Sequence, residues 1–301
     1  MTDWSLERQH RPAAPLAALR LYLGGLTLAT WLLMALGSAT RVMNAGLACP
    51  DWPLCYGQLL PANQMNLQVF LEWFHRLVAS SLGFVILALA LWTVRVRASL
   101  PRWLPWTAGA AVILVGVQGL LGGLTVTELL RFDIVTAHLS TGLLVFSVLL
   151  AMTTALLPQA SAGRVPRWLV GIGVLATVAV YGQSVLGALV ASQWAAHQCF
   201  GDRELCTVMN RHLWGILPAT VLTLGLGLAT WRLPQLPDTL RRWGQMALAC
   251  LGAQLGLGLA TFHLHLQVEP LTVAHQAVGA LLLACVLGLT LTAGRATTTQ
   301  A

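Results

Sequence analysis

The sequence contains no lysine and few charged residues of any kind. Charged side chains make up 9% of its 301 residues, whereas apolar ones make up 57%. A soluble globular domain carries about 25% charged residues, so this chain lacks the polar side chains that would cover a soluble core. The scarcity of charge excludes a soluble protein and indicates an integral membrane protein.

Eight apolar runs approach or exceed the ~20 residues that a helix needs to cross a bilayer. They cover residues 16–38, 73–94, 104–126, 134–157, 167–191, 211–231, 243–264 and 271–293. We therefore expect an all-α integral membrane protein with eight transmembrane helices and no soluble domain. The N-terminal stretch lacks the pattern of a cleavable signal or transit peptide, and we expect the first span to be retained.

The basic residues are distributed unevenly, and this asymmetry predicts the topology. The net charge is +7, all of the basic residues are arginines, and 12 of the 17 fall in alternate loops and at the termini. Most acidic residues fall in the other loops. This distribution follows the positive-inside rule, so we expect both termini in the cytoplasm. It also accounts for the basic charge without a nucleic-acid partner.

Two histidine pairs repeat at one offset along the chain. His138 and His275, in the segments TAHLSTG and VAHQAVG, are 137 residues apart, and so are His75 and His212. A third element, close to Gln-x-x-Leu-Gly, recurs in spans 3, 5 and 7. A common offset indicates an internal duplication. We expect two pseudosymmetric four-helix bundles in parallel orientation, formed by residues 1–160 and 161–301.

The repeated histidines are candidate metal ligands. They fall within the first turn or two of the even-numbered spans, all of which start on the outer side. Two imidazoles at equal depth in a four-helix bundle suit a bis-histidine heme; the alternative is a hydrogen bond between helices. Zinc or copper would require further ligands, and no cysteine or carboxylate repeats beside both pairs. The small residues of spans 3, 5 and 7 would admit close helix approach or a flat macrocycle.

The two halves differ beside their histidines. Glu72 stands one helical turn before His75 on the same face, whereas a methionine precedes His212 at that spacing. We therefore expect chemistry in the N-terminal half and an electron-storing or structural heme in the C-terminal half; alternatively, Glu72 is a solvated interfacial residue. His263 and His265, at the end of span 7, are either interfacial or line the mouth of the second heme pocket.

Four of the six cysteines occupy equivalent outer loops, as Cys49 and Cys55 in CPDWPLC and as Cys199 and Cys206. An oxidising exterior favours two disulfides within these loops, Cys49–Cys55 and Cys199–Cys206. Zinc sites usually have closer ligand spacing, and a redox role for the first pair stays open. We interpret the two cysteines inside spans 7 and 8 as packing residues.

The chain resembles the heme A synthase family over nearly its whole length. The motifs that carry the resemblance are GLACPDWPLCYGQLLP (46–61), EWFHR (72–76), AHLSTG (137–142), NRHLWG (210–215) and AHQAVG (274–279). The resemblance implies a bacterial inner-membrane enzyme with heme sites toward the periplasm. Such an enzyme oxidises the C8 methyl group of heme O to a formyl group, by successive hydroxylations and loss of water, for aa3-type terminal oxidases.

The resemblance also implies roles for particular residues. His75 and His138 would bind the substrate heme O, His212 and His275 would hold the iron of a heme b cofactor, and Glu72 would be needed for catalysis.

Arginines stand beside one ligand of each pair, Arg76 beside His75 and Arg211 beside His212, and could pair with heme propionates. Arg76 is the better candidate, because Arg211 precedes its histidine and lies on a different helix face.

Besides heme O and membrane lipid, the candidate partners are a heme O synthase, a quinone or other electron carrier, and a second copy of the chain. Two other functions stay open, a quinol-linked bis-histidine cytochrome that does not modify heme and a quinone-coupled thiol oxidoreductase using the outer cysteines.

Overall fold

The structure is a computed structural model that describes residues 13–158, 165–193, 203–264 and 268–298. Within these ranges the chain forms eight long helices and no strand. They are α1 (Ala13–Val42), α2 (Leu67–Arg95), α3 (Leu104–Thr127), α4 (Phe132–Leu156), α5 (Arg167–Ser192), α6 (Arg203–Arg232), α7 (Asp238–His263) and α8 (Glu269–Thr298), with short 3-10 turns at Ala62–Gln64 and Arg97–Ser99. All eight are long and apolar enough to cross a membrane. The predicted eight-helix, all-α class is confirmed.

Two helices begin well before the apolar runs that predicted them. The helix α2 starts at Leu67 rather than at residue 73, because Asn66 caps it and accepts a main-chain hydrogen bond of 2.9 Å. The helix α6 starts at Arg203 rather than at residue 211. Hydropathy marks only the part of a helix that suits hydrocarbon, and both helices continue through polar residues beyond it. His75 and His212 therefore lie in the third turn of their helices, one turn deeper than predicted.

The helices pack as two groups that each close on themselves. In the N-terminal group (α1–α4) each helix contacts the next and α4 returns to α1, and the C-terminal group (α5–α8) repeats this order. Between the groups, α1 contacts α8, α4 contacts α5, and α4 contacts α8. The helices α4 and α8 are central: 44% and 56% of their most apolar stretches are buried, against at most 28% elsewhere.

Arginines tie the two groups together at both ends of their interface. Arg41, at the end of α1, donates hydrogen bonds of 3.4 Å to the carbonyl oxygens of Ala191 and Ser192 at the end of α5. At the opposite end of the molecule, Arg295 on α8 donates a 2.8 Å bond to the carbonyl oxygen of Leu157, just after α4. The last carbonyl groups of a helix lack internal partners and favour cations. These bonds fix how the groups sit against each other.

Candidate functional site

Each helix group brings two histidines together near the same end of the molecule. His75 on α2 interacts electrostatically with His138 on α4, and His212 on α6 does so with His275 on α8. At 1.5 Å per residue, all four lie about 9 to 14 Å from the start of their helices. The two pairs thus occupy similar depths in their groups.

A glycine on the preceding helix lies directly against each imidazole. A Cβ at Gly37, Gly122, Gly187 or Gly258 would lie 2.8, 3.2, 3.1 or 3.0 Å from Cε1 of His75, His138, His212 or His275, respectively. These distances are shorter than ordinary carbon contacts of about 3.5–4.0 Å, so a larger residue would displace the ring. The glycines let the odd-numbered helices approach the imidazoles and limit their orientation.

Two histidines, one in each group, also contact a glutamine that stands four residues before the glycine. Gln118 Nε2 lies 3.3 Å from Nε2 of His138. Gln254 Nε2 lies 3.4 Å from Nε2 of His275. These glutamines belong to the Gln-x-x-Leu-Gly repeat visible in the sequence, but the repeat alone assigned them no contact.

The remaining copy of the repeat, in α5, contacts its histidine differently. Gln183 Nε2 lies 3.1 Å from His212 Nδ1 and donates a 2.9 Å hydrogen bond to the main-chain carbonyl of the same residue. In α1 the position four residues before the contacting glycine is Leu33. Three imidazoles therefore meet a side-chain amide, whereas His75 meets only the main chain of Leu33 at this position.

The donor set of each pair fits a bis-histidine heme. The Nδ1 atoms of His75, His138 and His275 are buried and form no hydrogen bond of normal geometry. Among the described residues, no three or more histidines, cysteines or acids gather as a group that could hold a metal ion. Each pair therefore offers two nitrogen ligands, which is the number that a hexacoordinate heme iron takes from a protein.

Glu72 is buried beside the N-terminal pair, with 4% of its surface exposed. Its Oε2 accepts a 2.8 Å hydrogen bond from the main-chain N–H of Cys49, and its Oε1 accepts one from Arg76. The interpretation of Glu72 as a solvated interfacial residue is therefore wrong. Arg76 also donates 2.6 Å bonds to the carbonyl oxygens of Asp51 and Leu54, so a contact with heme propionates would require it to exchange these bonds.

The segment CPDWPLC folds as a tight loop against α2. The sulfur atoms of Cys49 and Cys55 lie at bonding distance, and their Cα atoms are 4.8 Å apart. The Asp51 carboxylate accepts hydrogen bonds of 2.6 and 2.8 Å from the N–H groups of Tyr56 and Gly57. Both of those residues have a positive φ, which glycine adopts at no steric cost. The aspartate thus holds the turn that closes the loop.

Trp52 extends this loop onto α3. A Cβ at Gly123 would lie 3.2 to 3.3 Å from three carbon atoms of the Trp52 indole, while the neighbouring Gly122 contacts the imidazole on α4. The loop therefore spans from α2 to α3 at the histidine-bearing end of the N-terminal group. In the C-terminal group, Leu259 follows the corresponding glycine, Gly258. Its side chain occupies the space that Gly123 leaves open for an indole in the N-terminal group.

Other predicted residues lie outside these contacts. The second predicted disulfide includes Cys199, which falls outside the described residues, as does His265. His263 is the last residue of α7 and is exposed there. Cys250 and Cys285 are free cysteines inside α7 and α8.

The chain is similar to proteins of one known family. The family model of the cytochrome oxidase assembly proteins, COX15-CtaA, matches residues 20–287. A heme A synthase from Shewanella oneidensis is 32% identical over 190 residues, 56% of each chain. Those from Exiguobacterium sp. and Bacillus licheniformis are 29% and 28% identical over 192 and 202 residues, covering 61% and 64% of this chain and 61% and 65% of the relative. The chain thus matches less than two thirds of each relative's length.

Proposed function

The chain belongs to the COX15-CtaA family of cytochrome oxidase assembly proteins, and from this membership we propose that it is a heme A synthase acting on heme O. The named relatives support the proposal. The C8 methyl group is hydroxylated to a hydroxymethyl group and then to a geminal diol, which loses water to leave the formyl group. Each hydroxylation replaces a C–H bond with a C–O bond whose oxygen comes from water, and the two electrons and two protons released pass to a quinone or another electron carrier, which is a proposed partner.

The two histidine pairs take different hemes in this proposal. The substrate heme O binds to His75 and His138, and the cofactor heme b is held by His212 and His275. When bound, heme b supplies a redox-active iron. The observation that carries the assignment is that the described residues place a buried carboxylate, Glu72, beside the N-terminal pair, whereas Met209 occupies the corresponding position before His212.

Glu72 is the proposed catalytic residue. Its carboxylate is oriented by the Cys49 N–H group and by Arg76, one helical turn from the ligand His75. A carboxylate held in this way can accept a proton at Oε1 or Oε2, or stabilise positive charge at the reacting edge of the substrate. The adjacent loop, with its indole on α3, covers this end of the helix group.

The membrane arrangement forms part of the proposal. Residues 1–160 and 161–301 would be pseudosymmetric four-helix bundles. The contacts between the groups support this: α1 contacts α8 as its counterpart α5 contacts α4, and the equivalent helices α4 and α8 contact each other. The arginine-rich loops lie at the end opposite the histidines. On the positive-inside rule, the proposal has both termini in the bacterial cytoplasm and the heme sites toward the periplasm. The proposal includes the disulfide Cys199–Cys206, and a heme O synthase as the partner that supplies the substrate.

The decisive experiment identifies the heme product. The chain is expressed in bacterial membranes together with a source of heme O, and the extracted hemes are separated by chromatography and analysed as pyridine hemochromes. A formyl-bearing heme A is expected, and Glu72→Gln at equal protein level should yield heme O. If the purified chain binds heme but only heme O is extracted, the chain is an electron-carrying cytochrome. Activity that survives histidine substitution but not Cys49→Ser would instead favour a thiol oxidoreductase.

A further inference from the structure

One histidine of each pair has different neighbours in the two groups: His212 in the C-terminal group and its counterpart His75 in the N-terminal group. Gln183 contacts both the ring and the main chain of His212, at 3.1 and 2.9 Å. The corresponding position for His75 is Leu33, since Leu33 and Gln183 each stand four residues before the glycine that contacts the imidazole. The side-chain amide therefore supports the C-terminal ligand only.

A second difference accompanies the first, and the two depend on each other. Gln183 fits because Gly215 stands opposite it on α6: a Cβ at position 215 would collide with Gln183 Oε1. The equivalent residue on α2, three positions after its histidine, is Val78. Val78 and Leu33 both pack against the apolar core of the N-terminal group. The amide and the space for it are thus present together in one group and replaced together in the other.

The glutamine can support a metal-bound imidazole. If iron were bound by Nε2 of His212, Nδ1 would carry a proton that needs an acceptor, whereas the Gln183 atom that now faces Nδ1 is the amide nitrogen. The Oε1 atom of Gln183 is buried and without a hydrogen bond, so the amide, once turned, could accept this proton. The main chain at this position interacts with the ring in both groups, Gln183 with His212 and Leu33 with His75, so only the side-chain amide distinguishes them. Partners of this kind fix ligand orientation, and their loss typically lowers metal affinity by about 10- to 100-fold.

The other two glutamines do not distinguish the groups. Gln118 and Gln254 make the same contact, with Nε2 of His138 and of His275, in the N-terminal and the C-terminal group. The asymmetry is therefore confined to one ligand of each pair.

We propose that Gln183 and Gly215 retain the heme of the C-terminal group, and that Leu33 and Val78 leave His75 as the ligand that detaches when heme enters or leaves the N-terminal group. This inference rests on the proposed function, in which one site holds a resident cofactor and the other exchanges substrate for product. A resident heme benefits from the additional amide beside His212. A site that must release its product benefits from a ligand that is held only by the main chain of Leu33 and by apolar packing, without a side-chain amide.

Heme transfer tests the inference without reference to catalysis. The full chain in lipid nanodiscs is loaded with heme b, and transfer to excess apomyoglobin is followed by absorption. Two phases are expected, and His75→Ala should remove the fast one. The double variant Gln183→Leu, Gly215→Val should accelerate the slow phase by about 10- to 100-fold and leave the fast phase unchanged. The reverse variant, Leu33→Gln with Val78→Gly, should slow the fast phase.

Matched single variants separate support of the ligand from general packing. Gln183→Met keeps the length of the side chain without its amide, so it should accelerate the slow phase while the low-spin spectrum persists. Gly182→Ala, on the same helix with no atom within 4 Å of the added methyl group, should change neither phase. An unchanged slow phase in both Gln183 variants would overturn the inference. If neither histidine pair retains heme in the unmodified chain, the proposed function itself fails.

Discussion

Replacement of Glu72 by glutamine tests whether this carboxylate takes part in chemistry or only anchors the CPDWPLC loop. The glutamine keeps an oxygen that can accept the hydrogen bond from Cys49 N–H. It removes the charge that pairs with Arg76, and both side chains are well buried, at 5% and 14% exposure. The matched variant Arg76→Met removes the same ion pair together with the two 2.6 Å bonds to loop carbonyl groups, but it leaves the carboxylate.

The structure predicts how far each variant loosens the loop. A hydrogen bond to a charged group contributes about 1.5–3 kcal/mol, so Glu72→Gln should favour opening of the loop by about 10- to 150-fold, at 1.36 kcal/mol per tenfold. Arg76→Met should favour opening at least as much, because it removes additional bonds. Loss of general acid–base catalysis lowers the rate by about 100- to 10,000-fold, independently of the loop.

The order of the two variants therefore decides between the roles. Loop opening is measured as the rate at which dithiothreitol reduces the Cys49–Cys55 bond, since Cys49 has no exposed surface in the closed loop. Conversion of heme O is measured per heme-loaded protein. If Glu72 is catalytic, Glu72→Gln should lose more activity than Arg76→Met although its loop opens less. Activity losses that follow the opening rates would refute a chemical role, as would normal conversion by Glu72→Gln.

Three further outcomes follow from the histidine contacts and the loop. The variant His212→Ala should lose the low-spin contribution of the C-terminal heme, and a full spectrum of the purified chain would contradict the cofactor assignment. Gly258→Ala should perturb that spectrum because its methyl group would lie 3.0 Å from an imidazole carbon, whereas Gly256→Ala meets nothing within 4 Å and should leave it unchanged. Gly123→Leu should displace the loop indole and lower heme O conversion while retaining the C-terminal heme, with Gly119→Leu, which faces open space, as its control.

The eight spans could be predicted from sequence because each apolar run carries a strong local signal. The histidine pairs could be predicted because a common offset shows which residues occupy equivalent places. The starts of α2 and α6 could not be predicted in this way: a helix continues through polar residues when a cap such as Asn66 satisfies its first N–H groups, and hydropathy does not report this.

The contacts that surround the histidines could not be predicted from the sequence either, for a different reason. The Gln-x-x-Leu-Gly repeat is visible, but whether Gln183 reaches a ring depends on the rotation of α5 against α6. Likewise, the partners of Arg76 depend on the path of a loop that follows no periodicity. The spacing of Glu72 and His75 predicted their shared helix face, but not that loop atoms would enclose the carboxylate.

The likeness of the two groups limits what can explain a difference in their function. Each imidazole rests against a glycine, so these contacts support heme binding in both groups and cannot determine which heme reacts. The groups differ instead at a few equivalent positions around the histidines: Leu33 for Gln183, Glu72 for Met209, Val78 for Gly215, and Gly123 for Leu259. In the N-terminal group, Glu72 introduces a buried acid. Leu33 and Val78 replace the glutamine and the glycine that allow an amide beside the ligand, and Gly123 gives room for the loop indole against α3. Heme binding and heme conversion therefore depend on separate residues, and a substitution at these four positions should alter conversion or exchange before it abolishes binding.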